Sequence, residues 1–126
     1  MNVVLWILQI LLAAAFAAHG WMMVAPPPEL AAMMNEQLGV SFRLFIGIAE
    51  LLAVVGLILP GLTRILPSLV VWAAAGLAIV TVSATVLHFS RGEISSGVTT
   101  AILLVLTAFV AYMRLQVKPI APRTAV

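Results

Sequence analysis

Four long apolar segments dominate this sequence and restrict the structures that it can form. They cover about residues 3–24, 41–59, 65–89 and 98–115, and short stretches with proline, glycine or charged residues separate them. Each segment has close to the roughly 20 apolar residues that a helix needs to cross a bilayer. We therefore predict that residues 1–115 form one all-α domain, an integral membrane four-helix antiparallel bundle that has the lipid bilayer as its partner.

The composition agrees with this prediction and excludes several other classes of protein. Of the 126 residues, 64% are hydrophobic and 8% are charged, and the mean hydropathy is +1.25. A soluble domain of this length cannot bury so much apolar surface. The six basic residues are scattered singly and form no patch for nucleic acid. The chain has no cysteine, which excludes thiol–disulfide chemistry and thiolate metal sites within it.

The segment between the first two spans is too short to cross a membrane. Pro28 suits a first helical position, Gly39 suits a helix end, and the apolar residues between them follow helical spacing. We predict a short interfacial helix over the mouth of the bundle, with a plain loop as the alternative. At the other end of the chain we predict a disordered cytoplasmic tail over residues 116–126, preceded by Arg114 as an anchor that reaches the headgroups.

The basic residues predict the orientation of the bundle. An even number of spans places both termini and the turn around Arg64 on the same side. That side carries Arg64, Arg114, Lys118 and Arg123, and the opposite side carries Arg43 and Arg91. Because lysine and arginine favour the cytoplasmic side of short loops, we expect both termini to be cytoplasmic.

Few ionisable residues lie within the spans, and they are candidates for function. A charge at the centre of a membrane costs about 2.5 to 3.5 kcal/mol on insertion scales, so such residues are rare without a role. They are His19, Arg43, Glu50 and His88, and all fall in the half of the bundle opposite the termini. The half nearest the termini is expected to be almost entirely apolar, with Gln9 and Thr107 as its main polar residues.

Helical spacing groups these residues on two faces. Arg43 and Glu50 are two turns apart on the second span and point the same way. If the cluster binds a ligand, Arg43 is expected to keep Glu50 charged. Spacings of four and three residues place Thr81, Thr85 and His88 on one face of the third span. We predict a polar pocket in the outer leaflet. Its ligand-binding or proton-carrying residues are His19, Arg43, Glu50, Thr81, Thr85 and His88.

The same residues allow other interpretations. The cluster can be an interhelical network that only fixes how the helices dock. Haem ligation by the two histidines, or a metal site that adds Glu50, is disfavoured because no spacing motif supports either one. We therefore expect no metal ion and no certain cofactor.

Several stretches resemble a known family. They are residues 42–52 (FRLFIGIAELL), 56–60 (GLILP), 73–77 (AAAGL) and 86–93 (VLHFSRGE), together with His19-Gly20. The sequence is similar to the DoxX-like family of small four-span bacterial membrane proteins. Arg43, Gly47 and Glu50, with the late His88 before Arg-Gly-Glu, are the most specific parts of the resemblance.

The resemblance implies a location and two alternative functions. The location is a bacterial-type inner (plasma) membrane. Because the family includes proteins linked to quinol oxidation and membrane redox complexes, the first alternative is a redox-accessory bundle that binds a quinone or a similar small amphipathic molecule. The second is a non-enzymatic subunit that binds other membrane proteins or forms a homo-oligomer. Whether the chain turns over any substrate is left open.

Overall fold

Five α-helices make up the part of the chain described by the computed structural model, residues 1–123. They are α1 (Asn2–Val24), α2 (Pro28–Leu38), α3 (Val40–Thr63), α4 (Leu69–Ser90) and α5 (Ile94–Tyr112), and α5 continues as a π-helical segment, Met113–Val117. No strand occurs within residues 1–123. The predicted all-α bundle with a short helix between the first two spans is confirmed. The alternative of a plain loop is wrong.

The four long helices pack as two antiparallel pairs. α1 lies against α3 and α4 lies against α5, while contact between α3 and α4 joins the pairs. The buried core draws on all four helices and consists of Leu12, Ala13, Phe16, Leu57, Ala74, Leu77 and Val110. This order places the start of α1 beside the end of α5.

The outer surface of the bundle is apolar. Trp72, Ile79 and Leu52 are 71%, 69% and 68% exposed, although large apolar residues are rarely so exposed in contiguous patches on soluble monomers. Each of the four long helices has the length and composition to cross a membrane. The chain is therefore a membrane protein with four apolar spans, and these side chains face lipid.

The end of α3 and the start of α4 differ from the predicted boundaries, and both differences involve a proline. α3 continues through Pro60 to Thr63, because one proline removes only a single helical hydrogen bond and membrane helices tolerate that loss. The residue that follows the helix, Arg64, has left-handed backbone angles. Pro67 precedes α4, which begins at Leu69, although the predicted third span begins at about residue 65 and includes this proline.

The segment after the fourth span begins as helix. The π-helical segment ends at Val117, two residues beyond the predicted end of the bundle domain at residue 115. Further on, the N–H of Arg123 donates to the carbonyl of Arg64 at 2.7 Å, and Arg64 Nε donates to the carbonyl of Ala121 at 2.9 Å. The division into a domain of 1–115 and a disordered tail of 116–126 stays a prediction, and residues 124–126 lie outside the described part of the chain.

Gly39 joins α2 to α3 and sets the direction of both. Its φ of +81° is in the region that side chains disfavour, and its N–H donates to the carbonyl of Asn35 at 2.8 Å. The turn therefore folds the last residues of α2 against the first turns of α3, close to Arg43.

Candidate functional site

Two glycines bring α1 and α3 unusually close at the end of the bundle nearest α2. A Cβ atom at Gly47 would lie 2.8 Å from Val24 Cγ2, 2.9 Å from Met23 Cβ and 3.0 Å from the carbonyl oxygen of Gly20. The first two distances are shorter than real Cβ contacts and the third is tighter than most of them, so a side chain at Gly47 would require the two helices to move apart. The approach sets the neighbouring side chains of the two helices within hydrogen-bond distance.

His19 and Glu50 form a direct pair across this contact. The distance from His19 Nδ1 to Glu50 Oε2 is 2.7 Å. The Glu50 side chain is only 3% exposed, whereas that of His19 is 49% exposed. The pair is therefore a polar group that is buried on the α3 side and open on the α1 side.

The contact between His19 and Glu50 involves a shared proton. A 2.7 Å contact between a ring nitrogen and a carboxylate oxygen requires one proton between them. His19 donates that proton when Glu50 is ionised, and Glu50 donates it when its carboxyl is protonated. In both cases the other ring nitrogen, Nε2, takes no part in the contact with Glu50, and the His19 side chain is 49% exposed.

Arg43 lies nearby but has other partners. Its Nε donates to Asn35 Oδ1 of α2 at 2.9 Å, and its Nη1 donates to the carbonyl of Met23 at the end of α1. The residue is 7% exposed. No ion pair joins Arg43 to Glu50 among the described residues, so the expected role of Arg43 in keeping Glu50 charged has no direct contact behind it. Arg43, in the first turn of α3, instead connects that helix by hydrogen bonds to the last turns of α1 and α2.

The threonines of α4 form hydrogen bonds within α4 and, for Thr85, with α5. The Thr81 hydroxyl donates to the carbonyls of Leu77 and Ala78 in its own helix, at 2.9 and 3.0 Å. The Thr85 hydroxyl contacts the Thr100 hydroxyl of α5 at 2.9 Å. The structure therefore joins Thr85 to α5 and gives neither threonine a hydrogen bond to the His19–Glu50 pair.

His88 is also separate from the pair. Its Nδ1 lies 3.5 Å from Glu93 Oε2, within ion-pair range, but it forms no hydrogen bond with a described residue. Glu93 belongs to the turn between α4 and α5. Of the six predicted site residues, the structure thus joins His19 to Glu50 through their side chains. The Thr85 hydroxyl donates to the carbonyl of Thr81 at 2.6 Å, and none of the remaining four residues forms a hydrogen bond with the His19–Glu50 pair. No group of three or more histidine or acidic side chains within residues 1–123 is placed to hold a metal ion.

A second buried polar cluster lies at the opposite end of the bundle, where the sequence predicts an apolar interior. Arg114 is 2% exposed, and its Nε donates to Gln9 Oε1 at 2.8 Å. Gln9 Nε2 in turn donates to the carbonyl of Leu57 at 2.7 Å. We call Asn2, Trp6, Gln9 and Arg114 the Arg114 cluster.

The Arg114 cluster corrects two predictions. Arg114 does not extend towards headgroups, because acceptors on α1 draw its guanidinium inwards to Gln9 and to Asn2 Oδ1, the latter at 2.7 Å. The half of the bundle nearest the termini is consequently not almost entirely apolar. The sequence contained one signal of this cluster. Gln9 interrupts an apolar run, and such a side chain needs a buried partner.

Comparison with known proteins gives one finding. Residues 7–110 match the model of the DoxX-like family. The match contains His19, Arg43, Glu50 and His88 but ends before Arg114. No curated protein and no solved structure matches the chain.

Proposed function

The chain belongs to the DoxX-like family, and we propose that it binds a quinone or a similar small amphipathic molecule at the His19–Glu50 pair. The observation that carries this proposal is the difference in exposure within the pair, 49% for the His19 side chain and 3% for that of Glu50. A ligand dissolved in lipid can reach the imidazole from the side of the bundle, while the buried carboxyl holds the ring in place.

The helix face around His19 suits an amphipathic ligand. Ala15, His19 and Met22 are separated by four and three residues, so they share one face of α1, and all three are exposed. The small side chain of Ala15 leaves space beside the imidazole, and the flexible Met22 adapts to an apolar ring. A carbonyl oxygen of the ligand would accept a hydrogen bond from His19 Nε2.

In this role the chain exchanges protons with the quinone but does not transfer electrons to it. Reduction of a quinone carbonyl consumes protons as well as electrons, and the His19–Glu50 pair can supply a proton through Nε2. The electrons would come from a separate membrane protein, which makes the chain a redox-accessory protein.

A binding measurement tests this proposal. We expect purified protein in detergent to bind a short-chain ubiquinone, and Glu50→Gln to weaken that binding about tenfold, equivalent to about 1.4 kcal/mol. The substitution replaces the carboxyl that holds the His19 ring with an amide, which cannot ionise or give up a proton to the ring. Quenching of tryptophan fluorescence on quinone addition gives the dissociation constant.

Glu36→Gln is the matched control for this measurement. Glu36 is an exposed residue of α2, so the same change of charge should leave quinone binding unaltered. Equal binding by the wild type and Glu50→Gln would contradict a ligand site at this pair.

The second candidate function is that of a non-enzymatic membrane subunit in which the pair has a structural role. The observation in its favour is the position of the pair beside the Gly20–Gly47 contact, where a hydrogen bond between α1 and α3 also fixes their packing. A constant protein partner that co-purifies with the chain, without a bound organic molecule, would favour this candidate.

We further propose that the chain lies in a bacterial-type inner membrane with both termini in the cytoplasm, on the basis of its four-against-two distribution of basic residues. The absence of native cysteine makes this testable. In spheroplasts, a membrane-impermeant maleimide should label Ser95→Cys at the start of α5. It should label Gln116→Cys at the other end only after lysis. The reverse pattern would invert the topology, and the unsubstituted chain is the blank.

A further inference from the structure

Arg114 is a buried cation with only neutral partners. Its Nε and Nη1 donate to the side-chain oxygens of Gln9 and Asn2, and Nη1 also donates to the carbonyl of Lys118 at 3.0 Å. Its guanidinium carbon lies 5.6 Å from the centre of the Trp6 ring, a cation–π distance. None of these groups carries the negative charge that a buried guanidinium requires.

The third nitrogen of the guanidinium has no partner. Arg114 Nη2 is buried and makes no hydrogen bond to any described residue. A buried charge is costly unless an opposite charge or a full set of hydrogen bonds compensates it. Nη2 therefore keeps an unused N–H donor.

The chain cannot supply the missing negative charge with an acidic side chain. All four of its acidic residues lie in the other half of the bundle. They are Glu29 and Glu36 in α2, Glu50 in the first half of α3, and Glu93 between α4 and α5. The end of the bundle around Arg114 instead carries Arg64 and Lys118, so the charged side chains at this end are basic.

Arg114 lines a cleft of about 360 Å³ between the start of α4 and the end of α5. The rest of its wall is mostly apolar, with Leu66, Pro67, Val71, Leu115 and Ile120. A second cleft, of about 320 Å³, lies beside it and is lined in part by Trp6, Arg64 and Lys118. The two clefts share Pro119 and Ile120, so the buried cation and the two exposed cations border neighbouring spaces.

We propose that these clefts bind a phosphate group, with Arg114 as the buried cation and with Arg64 and Lys118 at the rim. A phosphate oxygen accepts from guanidinium N–H groups and neutralises their charge. The chemistry suits either the headgroup of an anionic phospholipid or a free phosphate ion. Basic pockets beside membrane helices are suited to anionic headgroups, and the apolar wall suits an acyl chain.

Native mass spectrometry of the purified full chain distinguishes the two sources. The three arms add phosphatidylglycerol, phosphatidylcholine or inorganic phosphate at equal concentrations. Retention of phosphatidylglycerol at least about fivefold above phosphatidylcholine identifies a lipid headgroup. Retention of inorganic phosphate alone identifies the free ion. Equal retention of the two lipids without bound phosphate, or retention of nothing, would overturn the proposal.

Substitutions locate the bound group. We expect Arg114→Gln to weaken retention about tenfold or more, and Lys118→Gln about three- to fivefold, because contacts with a charged group differ in strength with burial. Lys118 is exposed, so its substitution tests the site even where loss of Arg114 impairs folding. Arg91→Gln, at the opposite end of the bundle, is the matched control and should retain the ligand unchanged. Retention that neither Arg114→Gln nor Lys118→Gln lowers would place the ligand elsewhere and refute the assignment.

Discussion

Gly47→Ala lowers the free energy of unfolding of the bundle by about 2 kcal/mol, as expected for overpacking of a close interior contact. The added Cβ would lie 2.8 Å from Val24 Cγ2 and 3.0 Å from the backbone oxygen of Gly20. A side-chain methyl can rotate away, but a backbone oxygen can move only with its helix. α1 and α3 must therefore separate, and the 2.7 Å contact between His19 and Glu50 lengthens with them.

Gly76→Ala is the matched control, because a Cβ at Gly76 would meet no atom within 4 Å. Alanine also favours helix over glycine by about 1 kcal/mol, so this variant should be neutral or slightly stabilised. Titration with SDS in mixed micelles, followed by tryptophan fluorescence, compares the two variants with the wild type. Equal free energies of unfolding for Gly47→Ala and Gly76→Ala would contradict the close contact between α1 and α3.

The fold could be predicted from the sequence because a bilayer leaves few alternatives. An apolar run of about 20 residues must form a helix in lipid, where every backbone N–H and C=O needs a partner within the segment. The ends of the helices were less predictable. A proline tends to end a helix, yet α3 continues through Pro60, since a proline removes only one helical hydrogen bond and membrane helices tolerate that loss.

The candidate site was only partly predictable, for reasons of geometry. Helix direction alone places His19 and Glu50 in the same half of the bundle, and the structure joins them. The partner of Arg43 could not be read in the same way, because Asn35 lies on a helix whose orientation depends on the turn at Gly39. Periodicity shows which residues share a face but not which neighbouring helix that face meets. Thr85 shares a stripe with His88 and contacts α5.

Arg114 shows a different limit of sequence reasoning. A long basic side chain near the end of a span usually extends to the headgroups. Here its guanidinium is drawn inwards by Gln9 and Asn2, which are 105 and 112 residues away in the sequence. Pairing over such a distance leaves no local pattern, so only the assembled bundle reveals it.

A double-mutant cycle between His19 and Glu50 separates the ligand-binding role of the pair from its structural role. We expect His19→Leu alone to cost about 2 kcal/mol of unfolding free energy, because the buried carboxyl of Glu50 loses its hydrogen bond. The double variant, with leucine at both positions, should be more stable than His19→Leu because no unpaired polar group remains. The resulting coupling energy should be about 1 to 2 kcal/mol, measured by the same SDS titration.

The comparison of stability with binding decides between the two proposed functions. If the pair only fixes the packing of α1 against α3, the double variant regains stability and shows no loss of ubiquinone binding. If the pair binds a quinone, the double variant regains stability but binds ubiquinone at least about tenfold more weakly than the wild type. The reason is that His19 Nε2 is absent from the double variant, as it is from His19→Leu. A double variant that is stable and binds ubiquinone as the wild type does would therefore rule out the ligand site. The structural role of the His19–Glu50 pair would then be sufficient to explain its place beside the close contact of Gly20 with Gly47.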